Sequence, residues 1–315
     1  MIVRLLLRSA CLLLAGTGFT LPVSAQETPI KPNVPIVPAS LKKNDVRIAF
    51  PESIFRNVPS SLLKFTSTPF NKIVYDTTGM NSLVTHDRDW ASVAEKLEKG
   101  DYEVAVFLGH EFAWAKEKYP DFEPMVCSAP LHKTQQAFFI VKYDNEAKSI
   151  ADLKDSKIAL PHGFVDHSLL YFQSQVRKCL GDDCKLNGVY CPETIEDALN
   201  DVINGKASMA LTDSASWEYF QNNQPGRASN LKVMCSSEVF PAACIAYRKG
   251  KLNPNTVDQM TNGLIGASKN ANALALLRMI KLQGFEPISK TYNDELKKIA
   301  QLYPSDHPVD VKKLK

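Results

Sequence analysis

The stretch that decides the fold is Val46-Arg47-Ile48-Ala49-Phe50-Pro51-Glu52-Ser53, an apolar strand that runs directly into polar residues. The same pattern returns in Lys157-Ile158-Ala159-Leu160-Pro161-His162-Gly163. Each copy is followed by a helical stretch that ends in glycine and by a second strand. After the first copy the helix lies at 90–100 and the strand at 104–108; after the second the helix lies at 195–205 and the strand at 207–211. In open α/β sheets, ligands bind beyond the carboxyl ends of the strands. The doubled pattern therefore predicts an α/β protein of two lobes, each a central mixed sheet flanked by helices, around one cleft.

Polar side chains follow each of the predicted strand ends, where a ligand in the cleft would meet them. Imidazoles can donate to an anionic ligand, and carboxylates can accept from an amine or help to hold a metal. We predict ligand contacts from Glu52, Ser53, His110, Glu111, His162, Asp166, His167, Ser168 and Asp213.

Several of these side chains have a purely structural alternative. Asp166 could cap the helix that runs through Leu169 and Leu170, and Asp213 could cap the helix that contains Trp217. Trp90 occupies a helix start, where an aromatic side chain more often belongs to the core than to a ligand site. The sequence leaves both interpretations open.

The N-terminus carries the features of a secretory signal peptide. Arg4 and Arg8 precede a short apolar run, and the small residues Ser24 and Ala25 precede an expected cleavage before Gln26. The run is too short for a transmembrane helix, so we expect 1–25 to direct export to the periplasm. Residues 26–44 contain prolines at 29, 32, 35 and 38, which is typical of an extended linker.

Charge argues against a polyanionic partner. Without the two signal-peptide arginines, 35 of the 37 basic residues stand against 34 acidic ones, so no basic surface for nucleic acid is expected. We also expect no stable membrane insertion and a monomer.

The expected domain organisation is discontinuous. We assign 45–141 and 246–302 to lobe 1, 142–245 to lobe 2 and 303–315 to a C-terminal tail. The chain is expected to leave lobe 1 through a strand at 137–141 and to return through 244–247. We further expect a strand at 72–75 and helical structure from 254 to 302, with hinges near 141–143 and 246–248.

Six cysteines follow the signal peptide, and an even number in an exported chain suggests disulfides. We expect one bridge among Cys179, Cys184 and Cys191 and another between Cys235 and Cys244, which leaves Cys127. The spacing contains no C-x-x-C pair, so neither a zinc site at the cysteines nor a haem attachment is predicted.

Motifs of catalysis are missing from the sequence. It contains no glycine-rich phosphate loop, no nucleophile elbow and no His-Glu-x-x-His motif. We therefore expect no enzymatic activity and no cofactor.

Two segments carry a family resemblance. Ser149-Ile150-Ala151-Asp152-Leu153-Lys154-Asp155-Ser156-Lys157-Ile158-Ala159-Leu160 and Asp101-Tyr102-Glu103-Val104-Ala105-Val106-Phe107-Leu108-Gly109-His110-Glu111 resemble segments of periplasmic binding proteins of the phosphate, phosphite and phosphonate importers. The resemblance implies a type II periplasmic binding fold. It also implies that the lobes close on a small solute, such as a phosphonate or another oxyanion, and deliver it to an ABC permease.

One loop departs from the family's pattern. Phe164 and Val165 occupy places where the resembled proteins have serine and threonine hydroxyls, and Ser168 is the hydroxyl that remains. Asp166 adds a negative charge that would face an anionic ligand. This departure raises an alternative to the importer function: the chain could be a periplasmic accessory, metal-binding or interaction protein that serves no transporter. A metal site would draw on His110, Glu111, His162, Asp166 and His167, because imidazole and carboxylate ligands suit zinc, manganese or iron.

Overall fold

A computed structural model describes residues 45–55, 70–132, 134–162, 165–181, 186, 188–279 and 281–305. All of them belong to one compact unit, Lys42–Lys315. The predicted signal peptide and the proline-rich linker lie outside the described residues. Among the described helices, none combines the length and apolar character needed to cross a membrane.

The first sheet has six strands that come from both ends of the described chain. They are β1 (Val46–Pro51), β2 (Ser82–Asp87), β3 (Val104–Phe107), β4 (Phe122–Pro130), β10 (Cys244–Arg248) and β11 (Leu282–Glu286), in the spatial order β11-β4-β10-β3-β1-β2. The second sheet has five strands, all from the middle of the chain. They are β5 (Ala137–Lys142), β6 (Ile158–Ala159), β7 (Val189–Tyr190), β8 (Met209–Asp213) and β9 (Leu231–Ser236), in the order β7-β6-β8-β5-β9.

The two sheets repeat one arrangement. β1 lies parallel between β2 and β3, and β6 lies parallel between β7 and β8. Each sheet then receives an antiparallel strand next to its third parallel strand: β10 beside β3, and β5 beside β8. The fold predicted from the doubled sequence pattern is confirmed, and the polar ends of β1, β3, β6 and β8 are equivalent positions.

Helices flank both sheets. They are α1 (residues 70–78), α2 (Trp90–Lys99), α3 (Gly109–Lys118), α4 (Asp166–Leu180), α5 (Ile195–Ile203), α6 (Ser214–Asn223), α7 (Pro225–Ala228), α8 (Pro254–Gly266), α9 (Ala271–Met279) and α10 (Tyr292–Leu302). Capping side chains start several of them: Asp89 accepts a bond from the Ser92 amide, and Thr194 from the Asp197 amide. Gly100 ends α2 at φ 85°, a left-handed conformation that glycine adopts without strain.

The core is continuous from one lobe to the other. One buried cluster contains Phe107 and Phe112 of the first lobe together with Phe139 and Phe172 of the second, and Phe240 joins them. Separate clusters cover the other faces of the two sheets. Burial of this apolar surface is the main force that holds the sheets and helices together.

Two predicted elements are wrong. The expected strand at 72–75 belongs to α1, and the strand that pairs with β1 is β2. Ile73 and Val74 are buried in α1, and a short apolar run of this kind does not distinguish a strand from a buried helix. The expected helical stretch 254–302 is interrupted by β11, which pairs with β4.

The domain boundaries also need correction. Residues 137–141, assigned to lobe 1, lie in β5 of the second sheet, and Cys244 and Ile245, assigned to lobe 2, lie in β10 of the first sheet. The chain therefore crosses between the sheets at 131–136 and returns at 237–243. The expected hinges at 141–143 and 246–248 fall largely inside paired strands. Tyr303, assigned to the tail, is buried in the core.

The cysteine pairing differs from the prediction as well. Cys127, Cys179, Cys191, Cys235 and Cys244 are free thiols, and Cys184 lies outside the described residues. Cys235 and Cys244 sit in strands of different sheets, whereas Cys244 lies directly opposite Cys127 in the β4–β10 ladder.

Candidate functional site

A cavity of about 350 Å³ lies where the carboxyl ends of the two sheets meet. Its wall comes from the residues that follow β1, β3, β6 and β8 and from the first crossing segment. The lining residues are Ser53, Ile54, Leu108, Gly109, His110, Pro130, Leu131, His132, Thr134, Gln135, Val165, Asp166, His167, Asp213, Ser214, Ala215 and Lys281. Its volume is at the lower end of the range for small-molecule sites, about 300 to 1,000 Å³.

The first lobe contributes the start of α3. Gly109 is required there, because a Cβ atom would lie 2.0 Å from the carbonyl oxygen of Pro241 in the returning crossing segment. His110 follows and is 5% exposed; its ring meets Trp114 edge-on with ring centroids 5.1 Å apart. The close approach of backbone to backbone at Gly109 thus fixes where the imidazole of His110 enters the cavity wall.

Glu111 lies behind this wall and is 3% exposed. Its carboxylate accepts a hydrogen bond from the Ser53 hydroxyl and another, of 3.1 Å, from the backbone amide of Leu108. The second bond caps the N-terminus of α3. Glu111 therefore links the end of β1 to the start of α3.

The second lobe contributes the starts of α4 and α6. Asp166 is the first residue of α4, and Val165 before it also lines the cavity. Asp213 ends β8 and caps α6, because its carboxylate accepts from the amide and the hydroxyl of Ser216 at 2.9 and 2.8 Å. Asp213 therefore has the capping role that the sequence offered as one alternative, and it also lines the cavity, where contact with a ligand remains a prediction.

His167 is held as a neutral base. Burial lowers the pKa of its imidazole to about 4, against the opposing influence of the Asp213 carboxylate. Its ring lies 5.1 Å from that of Phe240, and its Nε2 atom is buried without a hydrogen-bond partner. At neutral pH the side chain carries no charge.

Among the residues that the structure describes, the charged side chains of the wall are mainly acidic. Asp166 and Asp213 line the cavity, Glu111 lies directly behind it, and Lys281 supplies one positive charge. Helix N-termini normally attract anions. Here the starts of α3, α4 and α6 carry the chain's own carboxylates, so the dipoles are already partly neutralised.

The nine predicted site residues separate into three groups. The structure brings Ser53, His110, Asp166, His167 and Asp213 to the cavity and places Glu111 immediately behind it. Glu52 and His162 are exposed and lie outside the lining, and Ser168 is fully buried inside α4. Trp90 packs against Trp114 and also does not reach the cavity.

The first crossing segment contributes wall residues that were not predicted from the sequence. The cavity is lined by Leu131, His132, Thr134 and Gln135. They reach it because the chain crosses between the lobes before β5, whereas β5 itself was expected to be the crossing strand. The polar run after β4 was the available signal. Lys281 follows α9 and carried no sequence signal of its own.

Comparison with solved structures identifies the fold. A Xanthomonas citri protein bound to ATP gives a TM-score of 0.59 at 14% identity, covering 82% of this chain and 97% of that chain. A binding protein component of an ABC phosphonate transporter from Pseudomonas aeruginosa gives 0.54 at 17% identity, covering 83% and 86%. A Prochlorococcus marinus protein in complex with methylphosphonate gives 0.55 at 12% identity, covering 82% and 97%.

The family assignment rests on a longer match. No curated protein sequence matches the chain, but residues 58–292 match the family described as "ABC transporter, phosphonate, periplasmic substrate-binding protein". Proteins of this family bind small solutes in the periplasm, work with ABC permeases and are not enzymes. Because the match extends over more than half of the chain, the protein belongs to this family of periplasmic substrate-binding proteins.

Proposed function

We propose that this protein is the solute receptor of an ABC importer and that it binds one small solute in the cavity between its two sheets. The single observation that carries the proposal is that both lobes supply polar side chains to the same cavity wall, with Ser53 and His110 from one and Asp166, His167 and Asp213 from the other.

Binding and lobe closure are coupled in this proposal. A solute that contacts both walls has more contacts in the closed form, and its differential affinity shifts the population toward that form. The crossing segments 131–136 and 237–243 carry the motion. They are bonded to each other, since the Phe240 amide donates to the Gln135 carbonyl at 2.8 Å and the Gln136 side chain donates to the Ser237 carbonyl at 2.8 Å. The permease recognises the closed form.

Export is part of the same proposal. Residues 1–25 are removed, the mature chain begins at Gln26, and the receptor works as a monomer in the periplasm. Mass measurement of protein recovered from a periplasmic extract tests the cleavage site, and a mature mass that includes residues 1–25 would contradict it.

The binding proposal is tested by a thermal-shift screen of the purified chain against phosphonates, phosphate, carboxylates, amines and divalent metals. A solute that binds only the folded state raises the melting temperature in a concentration-dependent way, and a concentration of about 100 times Kd adds about 2.7 kcal/mol. We expect one chemical class to stabilise the protein, and Asp213→Asn to reduce that shift. A flat response to every class would contradict a receptor function.

A further inference from the structure

We infer that the cavity is built for a divalent transition-metal cation held by His110, Glu111 and Asp166, rather than for an oxyanion. This inference rests on the proposed function, because it names the class of solute that the receptor captures. Three kinds of observation support it: the convergence of the ligand atoms, their origin in both lobes and the charge of the wall.

The ligand atoms already lie close together. One potential ligand atom each from His110, Glu111 and Asp166 falls within 4.8 Å of the other two. Bonds from zinc to nitrogen or oxygen are about 2.0 to 2.2 Å, so two ligands of one ion lie at most about 4 Å apart. Side-chain rotation and a small approach of the lobes therefore suffice to complete the site.

The chemistry of the set points to a transition metal. One imidazole with two carboxylates suits zinc, manganese or iron. An organic ammonium ligand needs only hydrogen-bond acceptors, and an imidazole offers it no advantage over another acceptor. Each carboxylate oxygen has two lone pairs. Glu111 can therefore bind a metal while it keeps its bonds from Ser53 and Leu108, and these bonds orient it in the manner of metal-site outer shells.

The set spans the two lobes. His110 and Glu111 follow β3 of the first sheet, and Asp166 starts α4 in the second lobe. A bound ion draws Asp166 toward the other two side chains, which is the differential contact that closure requires. His110 is held in place by Trp114 and Phe240, whose rings both meet it edge-on.

The wall also disfavours an anion. The carboxylates of Glu111, Asp166 and Asp213 sit at the starts of α3, α4 and α6, where an oxyanion would need free amide donors. Asp213 already accepts a bond from the Ser216 amide inside α6, and Glu111 accepts one from the amide of Leu108, the residue before α3. A divalent cation instead binds carboxylate oxygens directly and needs no hydrogen-bond donors.

The test is isothermal titration calorimetry of the untagged, chelator-treated full chain with Zn²⁺ and Mn²⁺. We expect one ion per chain, and we expect His110→Ala and Asp166→Asn each to weaken binding by at least about 100-fold, because even outer-shell changes cost about 10- to 100-fold. The matched controls are His162→Ala and Asp155→Asn, which change exposed side chains outside the cavity and should bind as the wild type does. Circular dichroism verifies that each variant is folded, and Glu111→Gln provides a third, nearly isosteric test.

The outcomes separate this inference from the proposed function. Metal binding that survives both His110→Ala and Asp166→Asn would overturn the metal site. If the protein binds methylphosphonate, phosphate or putrescine but neither Zn²⁺ nor Mn²⁺, the metal site would also be overturned, while the receptor function would still be supported. No binding of any of these solutes or metals would count against both.

Discussion

At the scale of single residues, the cavity is distinguished by carboxylates at the helix starts around it. Glu111 caps α3, Asp213 caps α6 and Asp166 begins α4. Glu111 and Asp213 therefore have a structural role in addition to supporting or facing the cavity. Backbone hydrogen bonds hold these two carboxylates in place before any solute arrives.

Ser168 tests whether its hydroxyl contributes to solute binding. Its side chain is fully buried in α4, and the structure gives its Oγ atom no partner. An unsatisfied buried hydroxyl is costly, so Ser168→Ala should raise the free energy of unfolding by about 1 kcal/mol and leave solute affinity unchanged. Urea unfolding measures the first effect and calorimetry the second.

Ser216→Ala is the matched control for Ser168→Ala. The Ser216 hydroxyl donates to Asp213 at 2.8 Å, so its removal should lower stability. A loss of solute affinity in Ser168→Ala would instead support the sequence-based prediction that this hydroxyl reaches the ligand.

Gly109 provides a second test at this scale. A methyl group there would collide with the Pro241 carbonyl, so Gly109→Ala should destabilise the fold by about 1 to 3 kcal/mol. It should also weaken solute binding, because the start of α3 carries His110. Gly226→Ala in α7 is the control: its Cβ meets open space, and alanine there should be neutral or slightly stabilising. Equal stability of the two variants would contradict the close approach.

Residue identity alone could not show which of the predicted site residues reach the cavity. Strand ends were recognisable because apolar runs stop at polar residues, and this brought His110, Asp166 and Asp213 into the prediction. The direction of a side chain depends on where its helix begins. Since α4 begins at Asp166, Ser168 turns into the core, and this orientation does not follow from spacing.

At the scale of elements, the β4–β10 ladder brings two cysteines together. Cys127 and Cys244 are directly opposite. The next pair along the ladder is hydrogen-bonded, since the Ser128 amide donates to the Ala243 carbonyl at 2.7 Å. The cysteines thus occupy a non-hydrogen-bonded pair, in which Cα atoms lie about 4.5 Å apart and side chains are close.

Disulfide geometry allows a bridge at this position, because Cα separations of about 4.4 to 6.8 Å are usual. We predict that protein prepared in an oxidising compartment contains a Cys127–Cys244 bridge, which peptide mass mapping without reduction detects as one linked pair of peptides. A link between Cys235 and Cys244 would contradict the observed register and restore the sequence-based prediction.

In reduced protein the same thiols should be unreactive. Burial raises the pKa of the Cys127 thiol to about 11 and that of Cys244 well above its usual range. The thiolate is the nucleophile, so alkylation of Cys127 by iodoacetamide at pH 8 should be slow and should accelerate about tenfold per pH unit below the pKa. The exposed Cys179 is the internal control. Equal labelling of the two cysteines at pH 8 would contradict the buried assignment.

Elements were predictable where local pattern and global pairing agree. β1, β3, β6 and β8 lie where continuous apolar runs are bounded by turns or helix caps. β2 and β11 were not predictable, because their identity depends on distant partners: β11 pairs with β4, far away in the chain. The first crossing between the lobes was placed wrongly for the same reason. The apolar run of β5 would read the same whether the strand paired in the first sheet or in the second.

At the scale of the whole molecule, Phe240 connects the two lobes beneath the cavity. Its ring meets His110 of the first lobe at 6.2 Å and His167 of the second at 5.1 Å, and it packs against Tyr303 at 5.0 Å. The Tyr303 hydroxyl donates to Glu238 at 2.8 Å. The returning crossing segment is therefore the centre of the interlobe core and not a loose linker.

Phe240→Ala should destabilise the protein by about 3 to 5 kcal/mol, the usual cost of deleting a buried aromatic side chain. It should also lower solute affinity, because His110 and His167 lose a packing partner. Val239→Ala is the neighbouring control: Val239 is 54% exposed, and its replacement should change stability by less than about 0.5 kcal/mol. Urea unfolding of the two variants measures the difference, and similar values would argue against a central role for Phe240.

At the scale of the molecule, the proposed function requires one small solute that touches both lobes inside the cavity. The most direct measurement is a crystal structure of the protein with the solute that stabilises it most in the thermal-shift screen. We predict solute density in the cavity, with bonds to His110 or Glu111 from the first lobe and to Asp166 or Asp213 from the second. Density outside the cavity, or contacts from one lobe alone, would contradict the account.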